Sequence, residues 1–498
     1  MMAVERVSDM KKKILYSILL ISIFINCRLN GEDYFFKKGK GESNYWIKAI
    51  GAEKSFSYAP SVIVTNDGFI EIGYSSIDNE SFDFCFDFCI VKLDKNCNLV
   101  YSQLIGTKDS DKAYTINKTT DGGYFIVGFV ESPEDESLQK KRKPIGQSGE
   151  KPQILNPEEM PKSGDILVIK LKKDMSIEWG KLIDTGTRDV SNSGRQTKDG
   201  GYVISGSTEI NGTRDAILIK LNKNGVLEWA KTIGGKNREG SSAIEITPDN
   251  GFVIAGITFE AGSVDTLIAK LNENGELKWA KAVGGGRVDS DNWDGVRITK
   301  DGGYILGGES DSFGRGKELS IVKLNKDGIV EWSKVIGGDG DDACWTVTPT
   351  SDGGYIAGGR YQVEGDFQKG NMDIPVIKLD RDGNLIWATI IGDPSFQEIE
   401  EIKEVEDGYV LAGVTSGKFF IAKLNKNGLI PGSKFTRMLT PKISSSQVKT
   451  TSLNFITTDI TSKLKITSPT LHIKNPYFKI EEFGFDRPFI KKRKPGLD

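Results

Sequence analysis

Two acidic stretches, each with a tryptophan, hold the residue types best suited to chemistry: Asp289-Ser-Asp291-Asn-Trp293-Asp294 and Asp339-Gly-Asp341-Asp342-Ala-Cys-Trp345. Carboxylates at alternating spacing supply the oxygens that calcium takes, so Asp289, Asp291 and Asp294 are calcium candidates, although the glycine and distal glutamate of an EF-hand loop are missing. An indole beside carboxylates can also stack on a sugar or aromatic ligand while the aspartates accept hydroxyls. On that reading Asp291, Trp293, Asp294, Asp341, Asp342 and Trp345 form a binding surface. A third reading makes the loops solvated and the two indoles plugs in the middle of the fold. The lone histidine, His472, stands apart from both stretches. Histidine-based triads and multi-histidine zinc sites are thereby disfavoured, and catalysis would have to run on carboxylates, Tyr, Lys or a cofactor. No motif calls for a cofactor or a further metal, and the chain is expected not to be an enzyme.

The balance of 66 basic against 69 acidic residues, net −3, shows no basic excess of the kind nucleic-acid binders carry. Lys11, Lys12 and Lys13 precede an apolar run from Ile14 to Ile25, which is too short to span a bilayer and reads as a signal peptide over residues 1–26. Phe24-Ile25-Asn26-Cys27 resembles the lipobox of bacterial lipoproteins, with Asn26 where that family usually has Gly, Ala or Ser. The resemblance implies a diacylated Cys27 at the mature N-terminus and a membrane partner reached through the lipid. Residues 27–43 would be a short tether. Cys85, Cys89, Cys97 and Cys344 read as small buried hydrophobes.

What must position the acidic stretches is a repeat. One unit runs Asp294-Gly-Val-Arg-Ile-Thr-Lys-Asp-Gly-Gly-Tyr-Ile-Leu-Gly-Gly308 and resumes as Glu318-Leu-Ser-Ile-Val-Lys-Leu-Asn-Lys-Asp-Gly-Ile-Val-Glu-Trp332. Its first turn recurs at Asp67, Asp121, Asp199, Asp249, Asp301, Asp352 and Asp407, and its Lys-Leu pair at Lys92, Lys170, Lys220, Lys270, Lys323, Lys378 and Lys423, so there are seven units. Each reads as two hairpins, with a second strand apolar on consecutive positions and therefore covered on both faces. That is an all-β, seven-bladed β-propeller of four-stranded antiparallel blades over residues 44–431. The last unit lacks its tryptophan strand, and Trp46-Ile-Lys-Ala-Ile-Gly51 matches Trp229-Ala-Lys-Thr-Ile-Gly234 ahead of the first unit. The N-terminal strand is thus expected to complete blade seven.

The unit resembles bacterial and archaeal cell-surface propeller repeats and, more distantly, Kelch blades, which share the glycine pair and the later tryptophan. That resemblance is specific for fold and poor for function. Symmetry then acts as a filter, because what every blade carries is architecture. Trp46, Trp179, Trp229, Trp279, Trp332 and Trp387 are packing by this test, and Asp87, Asp165, Asp215, Asp265, Glu318 and Asp373, opening the third strands, are expected to bond loop amides. Only Trp293 and Trp345 break the pattern. An insert at about 131–164 and a Ser/Thr/Lys-rich tail at 432–498 complete the chain; the tail is expected either to lie along the propeller or to stay loose. The function expected is an exported, lipid-anchored module of the envelope, at the outer membrane or cell surface, that binds a protein or glycan through its loop face. The alternatives are a scaffold for envelope assembly and, third, a carboxylate-dependent polysaccharide lyase or glycosidase.

Overall fold

In blades 2 to 6 the turn after the first strand folds as it does because one aspartate serves three donors. In blade 2, Asp121 Oδ1 accepts from Gly123 N at 2.9 Å and from the Thr119 hydroxyl, while its Oδ2 meets Lys170 Nζ at 2.9 Å. Gly122 takes a φ of 84°, and a Cβ on Gly123 would stand 2.2 Å from the Leu171 carbonyl oxygen, so each glycine of the pair is demanded separately. The turn aspartate and the Lys-Leu lysine are partners in every blade, as Lys92–Asp67, Lys170–Asp121, Lys220–Asp199, Lys270–Asp249, Lys323–Asp301, Lys378–Asp352 and Lys423–Asp407, all at 2.8–2.9 Å. Five of these lysines are buried, from Lys170 to Lys378, and their ammonium groups also bond the carbonyl of the following leucine.

The computed structural model describes residues 27–29, 32–34 and 45–482, except 52–55, 77–85, 108, 132–163, 210–211, 260–262, 286–288, 312–315, 338–340, 363–371, 393–396, 416, 434–435, 440–441, 446–448, 453–455, 460–461, 463, 468–471 and 475–478. Asn44–Glu482 form one compact unit. In it the strands make seven antiparallel blades, numbered along the chain. Blade 1 uses Phe56–Thr65, Gly68–Ser76, Asp87–Asp94 and Leu99–Gly106, and blade 2 uses Ser110–Lys118, Tyr124–Glu131, Asp165–Leu171 and Ile177–Asp184. Blade 3 begins at Asp189, blade 4 at Glu239, blade 5 at Asp289 and blade 6 at Ala343. Blade 7 comprises Gln397–Val405, Gly408–Thr415, Lys418–Asn425 and, as its fourth strand, Trp46–Gly51. The register Trp46↔Lys423 to Ile50↔Phe419 closes the ring with the N-terminal strand.

Hydrophobic clusters lie between adjacent blades, as between blades 3 and 4 (Val203, Leu218, Phe252, Leu267) or 7 and 1 (Trp46, Phe69, Cys89, Phe419). The repeat tryptophans cross these seams: each packs on the aromatic ring that follows the next blade's Asp-Gly turn, as Trp46–Phe69, Trp179–Tyr202, Trp229–Phe252, Trp279–Tyr304, Trp332–Tyr355 and Trp387–Tyr409, at centroid distances of 5.5–6.1 Å. Cys89, Cys97 and Cys344 are buried and form no disulfide; Cys85 lies outside the described residues. Among the described residues no helix is long and apolar enough to cross a membrane.

The tail takes the first of its two expected courses. It adds a fifth strand to every blade in reverse order: Thr436–Met438 on blade 6, Lys442–Ser445 on 5, Lys449–Ser452 on 4, Ile456–Asp459 on 3, Lys465–Thr467 on 2, His472–Lys474 on 1 and Lys479–Glu482 on 7. The propeller unit therefore extends well past residue 431. A rim strand needs backbone pairing and few apolar side chains, which accounts for the Ser/Thr-rich composition, and it covers fourth-strand edges that would otherwise stand open. Cys27–Leu29 pairs with Glu32–Tyr34 in a separate short hairpin. The signal segment, the Cys27 side chain and the interior of the insert, 132–163, lie outside the described residues.

Candidate functional site

Two faces follow from the hairpin order. The Asp-Gly turns and the third-to-fourth-strand turns share one face, here the turn face; the inter-blade loops and the second-to-third-strand loops share the other, the loop face. Between them runs the channel lined by the seven first strands. Each first strand slips register against its neighbour at a comparable height: Tyr58/Ser61, Ala113/Thr115, Ser191/Ser193, Ser241/Ala243, Asp291/Val296, Cys344/Thr346 and Ile399/Glu401. A bulge re-aims the extra side chain. In five blades that residue is single, namely Tyr114, Asn192, Ser242, Trp345 and Glu400. The position is repeated and the residue is different every time.

Pro60, Tyr114, Asn192 and Glu400 line a cavity of about 310 Å³ on the axis, together with Thr115, Asn117, Arg195, Glu401 and Lys403. Its charges are answered from within the protein. Arg195 meets Glu245 at 2.9 Å, and Arg297 reaches Glu245 at 3.3 Å and Glu401 at 3.7 Å. Glu401 also accepts from Val62 N at 2.6 Å and Ser61 Oγ at 2.9 Å, and pairs with Lys403. Burial would raise the Glu401 pKa, but Lys403 and Arg297 hold it below the ordinary value. What stays open is neutral: the Asn192 Oδ1 and Thr115 Oγ1 atoms are buried without a hydrogen-bond partner.

Towards the loop face the axis becomes aromatic. Tyr58 and Tyr74 stack at 5.3 Å, Tyr74 meets Phe86 edge-on at 5.2 Å, and Tyr114 stacks on Phe129 at 5.6 Å. Tyr58 donates its hydroxyl to Glu400 Oε1 at 2.5 Å. Burial, followed by the charge of Glu400, raises the Tyr58 pKa, so it stays a neutral donor.

The residues singled out by sequence divide. Asp289, Asp291, Trp293 and Asp294 lie on the first strand of blade 5, with side chains outside the described residues. Asp294 bridges Thr346 of blade 6, so the backbone brings the two acidic stretches side by side. Asp341 is half-buried and its amide donates to Gln362 Oε1 at 3.0 Å. Asp342 is fully buried and accepts from Gln362 N at 2.8 Å. Trp345 is half-buried, with the Arg360 guanidinium 5.5 Å from its ring centroid and its Nε1 without an acceptor. Sequence reading missed Tyr58, Tyr74, Tyr114, Asn192 and Glu400. A signal did exist: Tyr114, Asn192, Ser242 and Trp345 each follow the acid opening their first strand by three positions.

The acids at the starts of the first strands bond loop amides, whereas of the third-strand acids Asp215 accepts from the Thr213 hydroxyl and Asp265 from the Ser263 hydroxyl. Asp111 accepts from Thr107 N at 2.6 Å, Asp189 from Thr185 N at 2.8 Å and Glu239 from Gly235 N at 3.0 Å. Asp342 belongs with them, as architecture. Blade 2 departs from the rule by carrying Asp184 where other blades have a glycine such as Gly106 or Gly234. Asp165, Asp184 and Asp189 consequently bring carboxylate oxygens within 4.8 Å of one another, a donor set of the kind that holds a divalent cation.

Burial, first of all, raises Asp111 to about 7 and Asp165 and Asp189 to about 6. The turn aspartates go the other way. Hydrogen bonds from Lys92 and Thr65 lower Asp67 to about 2; at Asp121, Asp199, Asp249, Asp301 and Asp352 burial opposes the drop, yet bonds from the local Thr and Lys still bring each to about 2. A depressed carboxyl adds stability above its unfolded value that is lost as pH falls toward 2. A raised one favours the folded state in acid, and that contribution is lost as pH rises toward 6–7. Denaturant midpoints are therefore expected to peak at about pH 4 and to fall on both sides. A steady climb from pH 4 to 8 would contradict the buried-carboxyl assignment.

Fold and site together define a seven-bladed β-propeller with a variegated axial channel. The family model described as "Domain of unknown function (DUF5122) beta-propeller" matches residues 197–228. Among solved structures the chain is similar to a crystal structure of Sqt1 from Chaetomium thermophilum, at 11% identity and a TM-score of 0.40, covering 78% of this chain and 89% of that one. A second structure of Sqt1 from the same organism gives 11% identity and a TM-score of 0.38, covering 76% and 96%. No curated protein matches the sequence.

Proposed function

We propose that this protein is a lipid-anchored binding module of the cell envelope, without catalytic activity, that recognises a protein or glycan at the loop-face end of its channel. The observation that carries the reading is the ring of bulges. A symmetric scaffold repeats its structural residues, whereas Tyr114, Asn192, Ser242, Trp345 and Glu400 differ at one repeated bulge position, and Tyr114, Asn192 and Glu400 of that set line the axial cavity. Aromatic rings beside hydrogen-bonded carboxylates suit sugar faces and protein side chains alike. Cys27 would supply the anchor, and neither nucleic acid nor a cofactor is required.

Crosslinking and mass spectrometry on intact cells would identify the ligand. Against that ligand, Tyr114→Ala and Trp345→Ala are each expected to weaken binding more than about 10-fold, the loss typical of an aromatic hot spot. Unchanged affinity in both variants would remove the channel from the recognition surface. A scaffolding role is the second reading, supported by the encircling tail, and recovery of envelope-assembly proteins with no effect of either substitution would favour it. Turnover of a polysaccharide that is abolished by Glu400→Gln would restore the lyase or glycosidase reading.

A further inference from the structure

The cavity of about 310 Å³ lies on the turn-face side of the bulges. Its lining comes from four first strands, within residues 60–64, 114–118, 192–195 and 400–404. Each stretch starts at a bulge and ends within one residue of its strand's turn-face end, at Thr65, Lys118, Gln196 or Val405. Exposure rises in the same direction: Ser61 and Glu401 are buried, whereas Val64 and Lys118 are exposed. The cavity therefore opens on the turn face, away from the aromatic mouth.

Among the described residues blades 7, 1, 2 and 3 supply the lining, and blades 4 to 6 none of it. A chain of ion pairs accounts for the asymmetry. Glu245 of blade 4 stands between Arg195 and Arg297, and Arg297 of blade 5 reaches past blade 6 to Glu401 of blade 7. These side chains fill one side of the channel and wall off the other. Three acidic side chains, Glu400, Glu401 and Glu404, and three basic ones, Lys118, Arg195 and Lys403, line the cavity, so it carries no net charge. Glu404 is engaged as well, accepting from Ser351 N at 2.6 Å and Ser351 Oγ at 2.8 Å. What the wall still offers is the pair of buried neutral atoms, Thr115 Oγ1 and Asn192 Oδ1.

We propose that this cavity is a second binding site, which takes a neutral polyhydroxylated ring, a monosaccharide or the end sugar of a glycan, from the turn face. One ligand hydroxyl donates to Asn192 Oδ1 and another bonds Thr115 Oγ1, which can donate or accept. A buried polar atom without a partner costs free energy, and a ligand hydroxyl recovers it. A charged ligand would lose its hydration in a cavity whose own charges already answer one another. About 310 Å³ stands at the lower end of small-molecule pockets, enough for a sugar ring and too little for a folded partner. Pro60 and Val64 add apolar wall for the C–H groups of such a ring. The site depends neither on recognition at the loop face nor on an anchor at Cys27.

Two measurements decide the matter. The first is saturation-transfer NMR on the full chain with glucose, galactose, mannose and N-acetylglucosamine, each free and as its methyl glycoside. Saturation is expected to reach at least one of them. The methyl glycosides stand for the end of a glycan and the free sugars for a soluble ligand, and transfer to either supports the site. The uronate and amino-sugar analogues of the bound probe should bind more weakly. No transfer to any probe overturns the site, and tighter binding of a charged analogue overturns the neutral class. The second measurement repeats the titration with Thr115→Val and Asn192→Leu, each of which removes one polar group at nearly constant volume. Each should weaken the probe about 3- to 10-fold, while the denaturant midpoint of the free protein holds or rises. Thr115→Ser keeps the hydroxyl and should keep the affinity. Affinity unchanged in both Thr115→Val and Asn192→Leu places the ligand elsewhere and overturns the proposal. A lowered midpoint in both assigns the two atoms to the fold and overturns it too.

Discussion

Deleting residues 44–51 is expected to unfold the propeller, not merely to trim it. Trp46, Ile47, Ala49 and Ile50 are all buried, and Trp46 and Ile50 belong to the cluster shared by blades 7 and 1. Truncating a buried Trp costs about 3–5 kcal/mol and a buried Ile about 2–5 kcal/mol, so the strand is worth at least about 5 kcal/mol. Domains are stable by about 5–15 kcal/mol in total. The deletion also exposes Lys418–Asn425 and strips the last tail strand of its partner. Circular dichroism and a denaturant titration check this, with Ile50→Ala as the graded control at about 2–5 kcal/mol. A deleted chain that melts within about 1 kcal/mol of the intact one would show that the ring does not depend on this closure.

Glu71→Ile should do the opposite, stabilising the protein by about 1–3 kcal/mol, the cost of a buried polar group left without a partner. Glu71 is completely buried on the second strand of blade 1, and neither carboxylate oxygen has a hydrogen bond. Its counterparts across the second and third strands are Ile126, Ile204, Ile254, Leu306, Ala357 and Leu411, all apolar and buried. It shares a strand face with Phe69, which packs in the seam where the ring closes. Burial raises its pKa well above the ordinary value, so the folded state holds the proton and loses stability as pH climbs past the unfolded value of about 4.5. Glu71→Ile should remove that part of the pH slope, and Glu71→Gln should remove it too without matching the gain in acid. A Glu71→Ile variant less stable than the parent at pH 7 would mean that the site cannot house the branched side chain.

The architecture was legible because its determinants are local and repeated. Asp-Gly-Gly, Lys-Leu and the later Trp announce two turns and a seam residue, and Trp46-Ile-Lys-Ala-Ile-Gly51 announces the missing strand. That the turn aspartate and the Lys-Leu lysine are partners was less visible, since about 20 residues usually part them and period alone does not show contact. The equivalence of Asp342 with Asp111, Asp189 and Glu239 was also hard to read, because the loops that lead into these acids are unlike in sequence. The symmetry filter passed over Tyr114 and Asn192 because a bulge adds one residue to a strand without any fixed residue type. The tail was hardest. Strands of three or four residues that take their order from a neighbouring backbone leave almost no hydrophobic period to read.

The closure strand bears on how the protein answers force. Trp46–Gly51 lies between Lys418–Asn425 on one side and Lys479–Glu482 on the other. A pull on the chain ahead of Trp46 is directed along the strand, and it must slide both ladders at once. Hydrogen bonds loaded in shear share the tension, whereas bonds opened from an end break in turn. Forced unfolding follows the height of that barrier instead of the equilibrium stability. A single-molecule pull from the N-terminal end should therefore give a markedly higher rupture force for the whole chain than for one ended at residue 475, which would leave the same strand held on one side.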